Sequence, residues 1–435
     1  MAAAAGARGR DEGRRARVCA CIIVVVSLFA WPDGAQSQAA HAHAAAPGTP
    51  EARASQRTWP SLDLSGYVRS LTGIHDAGFD APEIDRRTGF HGQVARLRWR
   101  IGFGDAVTLD VHNRLQARLS STAGGLGEVA GIGVSVVPSR PVDLSTHLLE
   151  EDRIELWHDV DRLALTFRAG RADITAGRQA ITWGLAYLFP VADLWAQFSP
   201  FELDTEEKPG IDAVRVLAYP AAGLELDGVV AARGRAEDWS AGLRATFELP
   251  SADVYAAAGK FWNQAMLLGG IAYVLDVSTL RAEAVLPWDL DDGEFDRPRV
   301  TLGVDRLSQR LRLTAEYHHN GTGVTEPAAY VAQLASPHIA RGESYLLARH
   351  YLGGAASWIV DRDERLSLSL SALLNLHDGS AALTPIASWS FGQNASVSAG
   401  AVQSVGARPT LVPPKLESEF GAYGMLWFAR VSVYF

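Results

Sequence analysis

The densest run of residues able to do chemistry is a basic ladder with a period of two. Arg96, Arg98 and Arg100 alternate with Ala95, Leu97, Trp99 and Ile101, and the next alternating segment adds Arg114 and Arg118 in phase with Asp110. In extended chain this spacing puts all five guanidiniums on one face of a hairpin. They repel one another there unless they are solvated or matched by carboxylates. Arg168, Arg178 and Arg312 supply further cations, and Asp173 and Glu316 further anions, on the same register. Two readings stay open: a basic track that guides anionic or polyhydroxyl solutes past a constriction, or an inter-strand ion-pair network that stiffens a wide interior.

A second concentration lies in the connection 183–210. Trp183, Tyr187, Phe189, Trp195, Phe198 and Phe201 are interleaved there with Asp193, Glu202, Asp204, Glu206 and Glu207. So large an apolar patch marks a contact rather than a surface in water. The expected arrangement folds this loop inward as a constriction, its carboxylates facing the arginines. Packing over a mouth or along a neighbouring subunit is the alternative.

Other candidates carry less. The turn Asp289-Leu290-Asp291-Asp292-Gly293-Glu294 is one residue short of the EF-hand spacing and lacks its distant Glu, so it reads as an outer loop beside divalent-bridged lipopolysaccharide. His318 and His319 are adjacent, and adjacent strand residues point to opposite faces, so they cannot share a site. No Gly-x-Ser-x-Gly elbow, phosphate-binding loop, dinucleotide motif or His-Glu-x-x-His occurs. No catalytic residue, metal or cofactor is therefore assigned, and an enzyme is not expected.

The elements that must position these residues are strands. Val107, Leu109, Val111, Leu115, Ala117 and Leu119 alternate with polar residues, and Leu366, Leu368, Leu370, Ala372, Leu374 and Leu376 alternate with Ser367, Ser369, Ser371 and Leu373. Such segments exceed ordinary soluble strands and match the length of a tilted strand crossing a membrane. Strands are expected near 62–71, 92–103, 106–118, 162–168, 172–181, 211–219, 223–232, 238–248, 252–262, 266–275, 279–287, 299–306, 311–319, 343–352, 365–376, 381–390, 394–403 and 424–435. Connection lengths alternate: Gly104-Asp105, Ala169–Arg171, Pro220–Ala222, Leu249–Ser251, Asp276–Ser278, Leu307–Arg310 and Phe391–Gln393 are tight, whereas 72–91, 119–161, 182–210, 288–298, 320–342 and 404–423 are long. The short connection that 353–364 breaks from this rule is expected to be masked by a strand extension such as Ala355–Val360. Short periplasmic turns and long outer loops are the pattern of an all-β transmembrane antiparallel barrel of about 16–18 strands. In such a barrel the polar face of each strand looks inward.

No segment past the first fifty residues approaches about eighteen consecutive apolar residues, which excludes helical spans. Arg8, Arg10, Arg14, Arg15 and Arg17 precede the apolar run Val18–Trp31 and the small residues around Ala35-Gln36-Ser37, the pattern of a secretory signal over 1–37. Residues 38–60 read as a flexible linker and 61–435 as the barrel. Both cysteines, Cys19 and Cys21, fall in the signal, which excludes disulfides and thiolate sites from the remainder. Without residues 1–37 the chain holds 35 basic against 46 acidic residues, a balance unsuited to nucleic-acid binding.

Met425, Trp427, Ala429, Val431, Val433 and Phe435 share one face of the last strand. This ending resembles Gram-negative outer-membrane proteins whose final strand is read by the barrel-assembly machinery, so Phe435 is the expected contact. Gly177-Arg178-Gln179-Ala180-Ile181-Thr182-Trp183-Gly184 and Glu206-Glu207-Lys208-Pro209-Gly210-Ile211-Asp212-Ala213-Val214-Arg215 are similar to strings in a poorly characterised group of porin-like barrels. The resemblance implies an outer-membrane channel for passive diffusion of small polar or anionic solutes, lipid and lipopolysaccharide as surroundings, and trimers as a common state. An exporter of anionic polysaccharide is the alternative, with an enzymatic or structural barrel behind it.

Overall fold

The computed structural model describes residues 60–79, 85–122, 136–235, 238–411 and 414–435. The expected signal and all of the linker but Pro60 lie outside the described residues. Eighteen strands form the wall: β1 Ser61–Asp76, β2 Arg87–Phe103, β3 Val107–Ser120, β4 Ile154–Ala169, β5 Ala172–Gln179, β6 Ile211–Ala221, β7 Leu224–Ala232, β8 Ser240–Leu249, β9 Ala252–Phe261, β10 Gln264–Leu275, β11 Ser278–Asp289, β12 Arg299–Leu307, β13 Leu311–His319, β14 His350–Ile359, β15 Leu366–Asn375, β16 Ala381–Phe391, β17 Ala395–Val405 and β18 Met425–Tyr434. Each pairs antiparallel with the next, and β1 closes on β18 from Tyr67 opposite Tyr434 to Asp76 opposite Met425. Closure leaves no free sheet edge, which is what lets strands cross a medium that cannot hydrogen-bond them.

The alternation sets the two faces. Leu163, Leu165 and Phe167, Leu302 and Val304, Leu368 and Leu370, and Val431 and Val433 stand exposed on the outside. Their neighbours point in. One end of the barrel carries tight turns, where Gly104 and Gly170 take positive φ of 66° and 62° that a side chain would strain. At the other end lie long connections, broken only by 262–263 and 376–380.

β1 and β2 run farther toward the long loops than expected, to Asp76 and from Arg87, and three further elements depart more in kind. The strand placed at 162–168 runs over Ile154–Ala169, because the register to β3 shifts between His112 and Asn113. Residue 161 is the bulged one, so the alternation changes phase there and Asp159, Asp161 and Arg162 all turn inward. A short strand Ser145–Glu151, inside the stretch expected to be loop, pairs with the first half of β4. The strand placed at 343–352 lies at His350–Ile359 and absorbs the expected extension over 355–360. Leu346, Leu347 and Ala348, which made the earlier segment look strand-like, are buried in loop structure instead.

The lumen is not uniformly polar, which corrects the expectation of a polar inner face. Phe261, Met266, Leu268 and Val285 on one wall, and Val402, Leu426 and Phe428 on another, point inward and are buried. Ile181, Trp183, Val191, Leu194 and Trp195 of the connection 180–210 cluster with the first wall. Phe189 and Phe201 of the same connection join Tyr330, Leu346, Tyr351 and Phe420 against the second. Each such side chain contributes about 1.5–3 kcal/mol on burial, so the aromatic content of this connection is what draws it into the barrel.

Candidate constriction of the lumen

The connection 180–210 is bound to the wall in both senses of charge. Its backbone donates to wall carboxylates. Glu316 of β13 accepts from the amides of Tyr187, Leu188 and Phe189 at 2.6, 2.9 and 3.0 Å. Glu283 of β11 accepts from Leu185 N at 2.6 Å and from the Tyr255 hydroxyl at 2.9 Å. Trp183 is fully buried, its indole N–H donating to Asp227 at 2.8 Å, and it meets Trp195 edge-on with centroids 5.1 Å apart. At its entry, Gly177 holds φ 116°, and a Cβ there would strike the Leu163 carbonyl.

The loop's own carboxylates reach wall arginines. Asp204 and Glu206 both pair with Arg69 of β1, and Glu206 also accepts from the Tyr434 hydroxyl at 3.0 Å. Glu206 and Glu207 lie 3.7 and 3.5 Å from the Arg98 guanidinium, and Glu207 lies 3.8 Å from Arg162. Asp193 pairs within the loop, with Lys208. Glu202 faces the lumen beside Leu203, whose carbonyl accepts from Arg430 of β18 at 2.9 Å.

The rest of the ladder is matched along the wall. Arg96 is buried and bound to Asp161 at 2.7 Å, Arg114 to Asp159 at 3.0 Å, Arg118 to Glu155 at 3.3 Å and Arg100 to Asp110 at 2.8 Å. Arg168 lies 3.9 Å from Asp173 near the tight turns. Arg178 stands on the Ile174 side of β5, which removes it from the lumen lining on which the sequence placed it. There it is buried against Asp212 at 2.7 Å and the Val160 carbonyl at 3.0 Å. The reason is register: 174, 176 and 178 share one face, and Ile174 is exposed outside. Arg312 has no ion pair among the described residues and lies over the Tyr187 ring at 4.9 Å.

Sequence reasoning missed Arg69, Asp159, Asp161, Arg162, Asp227, Glu283, Lys208 and Arg430. Arg69 shares its phase with Ser65 and Tyr67 in β1, and Glu283 sits between Ala282 and Ala284, so alternation alone could have found both. Asp159 and Asp161 were hidden by the bulge.

Two spaces open beside the loop among the described residues. A chamber of about 650 Å³ reaches toward the tight turns, between the loop and the Ser357, Ser369, Ser371 and Thr384 hydroxyls, with Arg312 and Arg430 on its border. A smaller one of about 180 Å³ opens toward the long loops and is lined by Arg69, Gln93, Gln116, Arg118 and Trp157. Glu202, Leu203 and Arg430 border both, so the divide between them is the Arg430–Leu203 contact. Among the described residues, no group of three or more His, Cys, Asp and Glu side chains is arranged to hold a metal ion.

No family model matches the sequence, and no curated protein matches it. Solved structures do share its fold. The Pseudomonas aeruginosa outer-membrane protein OpdK, solved with vanillate, is similar with a TM-score of 0.54 at 8% identity, over 86% of this chain and 98% of that one. Pseudomonas aeruginosa OccD3 has a TM-score of 0.52 at 10% identity, over 86% of this chain and 91% of its own. Acinetobacter baumannii OccAB4 has a TM-score of 0.51 at 10% identity, over 86% and 97%. At these identities the likeness establishes the architecture: a closed antiparallel β-barrel of eighteen strands like those of outer-membrane proteins.

Proposed function

We propose that the chain is a channel of the Gram-negative outer membrane through which small polar solutes, anions foremost, diffuse passively. The observation that carries this reading is the chamber of about 650 Å³ with hydroxyls on one wall and Arg312 and Arg430 on its border. Neither arginine forms an ion pair among the described residues, whereas the ladder across the lumen is already matched by Asp159, Asp161, Glu155, Glu206 and Glu207. A solute carboxylate or phosphate would meet two guanidiniums there with hydroxyls opposite, a lining that stabilises a partly dehydrated anion without holding it tightly. The loop that crosses the lumen also leaves little room for a polysaccharide strand, which disfavours the exporter. OpdK, solved as an outer-membrane protein of the same architecture, agrees with this setting.

The test is planar-bilayer recording under a salt gradient. Stable steps with an anion-selective reversal potential are expected, and replacing Arg312 and Arg430 together by Gln should move that potential toward zero. A folded barrel with no steps, or one whose selectivity ignores both substitutions, would overturn the proposal.

A further inference from the structure

His318 and His319 take different sides at the loop end of β13. His318 points inward and is buried, stacked on Phe189 with ring centroids 5.0 Å apart. His319 lies directly opposite His350, the first residue of β14, in the antiparallel ladder. Leu352, two residues beyond His350, is exposed on the outer face, so His319, His350 and Tyr317 belong to that face too. The cross-strand pair that adjacency in sequence denies to His318 is supplied by a residue 31 positions away.

The two Nδ1 atoms are 3.5 Å apart and the ring centroids 4.8 Å. At that separation the imidazoles make at best a marginal hydrogen bond to each other. Two imidazole nitrogens bound tetrahedrally to one metal ion at about 2.0–2.1 Å stand about 3.4 Å apart. The spacing is therefore that of a chelate already set by the strand pairing. The Tyr317 hydroxyl holds His350 Nδ1 in a 2.7 Å hydrogen bond, which a bound ion would displace. The His377 ring is 5.3 Å from that of His350, and its buried Nε2 has no hydrogen-bond partner. Both paired histidines are only half-buried, so an ion can reach them.

We propose that His319 and His350 form a two-imidazole chelate for a borderline divalent cation on the outer rim of the barrel. Imidazole ligands suit Cu²⁺, Ni²⁺ and Zn²⁺, and Cu²⁺ binds most tightly in that series. With two protein ligands and water completing the shell, this is an open, exchangeable site and not a closed structural centre. A bound ion would tie β13 to β14 at the root of the connection 320–349, which carries Tyr330 and Leu346 into the lumen cluster.

The test uses the assembled barrel in detergent micelles, with His41 and His43 replaced by Gln to remove the histidines preceding it. Titration with Cu²⁺ followed by electron paramagnetic resonance should give one ion per chain with two-nitrogen coupling. His319→Gln or His350→Gln should weaken binding by more than about tenfold, the range reached even by outer-shell partners, and His91→Gln should not change it. In the chain with both histidines intact, Cu²⁺ should protect them from carbethoxylation. Equal affinity in both variants and the parent, or no protection in the parent, overturns the proposal. Heat-modifiable mobility verifies that each variant is folded.

Discussion

Arg69 is the wall residue that takes two of the loop's carboxylates, and removing it should loosen the segment at the divide. Only 5% exposed, its side chain pairs with Asp204 and Glu206 and donates to the Ser432 and Tyr434 hydroxyls at 3.0 and 3.3 Å. Stripping one partner from a fully buried pair costs about 3–5 kcal/mol. Asp204 and Glu206 are 31% and 29% exposed, so water recovers part of their solvation and the loss falls nearer about 2 kcal/mol. At 1.4 kcal/mol per decade that displaces the segment 203–207 about 30-fold more often. Arg69→Met keeps the apolar stem and leaves every strand hydrogen bond in place. Single-channel recording should then show a larger mean conductance, excess open-channel noise and weaker anion preference, since Asp204 loses its cation and Glu206 keeps only Arg98 at 3.7 Å and the Tyr434 hydroxyl. A variant with normal heat-modifiable mobility, parental conductance and parental noise would refute the claim that this arginine fixes the loop.

Deleting Ala196–Glu206 should raise conductance further, because it removes Leu203 from the divide; an unchanged conductance in a folded deletion would count against the constriction. Removing Phe435 costs its two backbone hydrogen bonds to Gly66, at 2.8 and 3.0 Å, and should leave an exported but poorly assembled barrel, detected as lost heat-modifiable mobility. Burial pushes the Glu419 carboxyl up to about 7 from an ordinary 4.5, among the amide of Leu347, the Asn375 side chain and the Tyr351 hydroxyl. A raised carboxyl favours the protonated fold, so this packing is fully stable below about 4.5 and is lost as pH rises through about 7. Hydrogen-exchange protection over 416–423, corrected for the intrinsic base catalysis of exchange, should therefore fall with rising pH across that upper value, and Glu419→Gln should flatten the profile.

The barrel was legible because its signal is redundant: each strand repeats the same period-two code, and loop lengths supply an independent one. β13, expected at 311–319, lies at Leu311–His319, and the connection after Leu307 is as tight as its residues imply. What failed did so where one residue breaks the period. The bulge at Asp161 reverses the phase of β4, which both shortened the strand on paper and hid the carboxylates that neutralise Arg96 and Arg114. The loop was legible in kind, since Trp183 and Trp195 announce a buried contact, but its partners were not. Pairing of Glu206 with Arg69, 137 residues away, follows from where closure brings β1, and nothing local records that.

Arg69 and Arg430, which grip the loop at Asp204, Glu206 and Leu203, come from β1 and β18, the two strands whose meeting completes the cylinder. The loop's other anchors, Glu283 and Glu316, lie on strands formed between those ends. The middle of the wall can take up the aromatic half by itself, and Arg98 of β2 and Arg162 of β4 can draw Glu206 and Glu207. The acidic half gains the combined grip of Arg69 and Arg430 only when first strand meets last. A cylinder that never seals would therefore be left with its divide slack as well as its seam open.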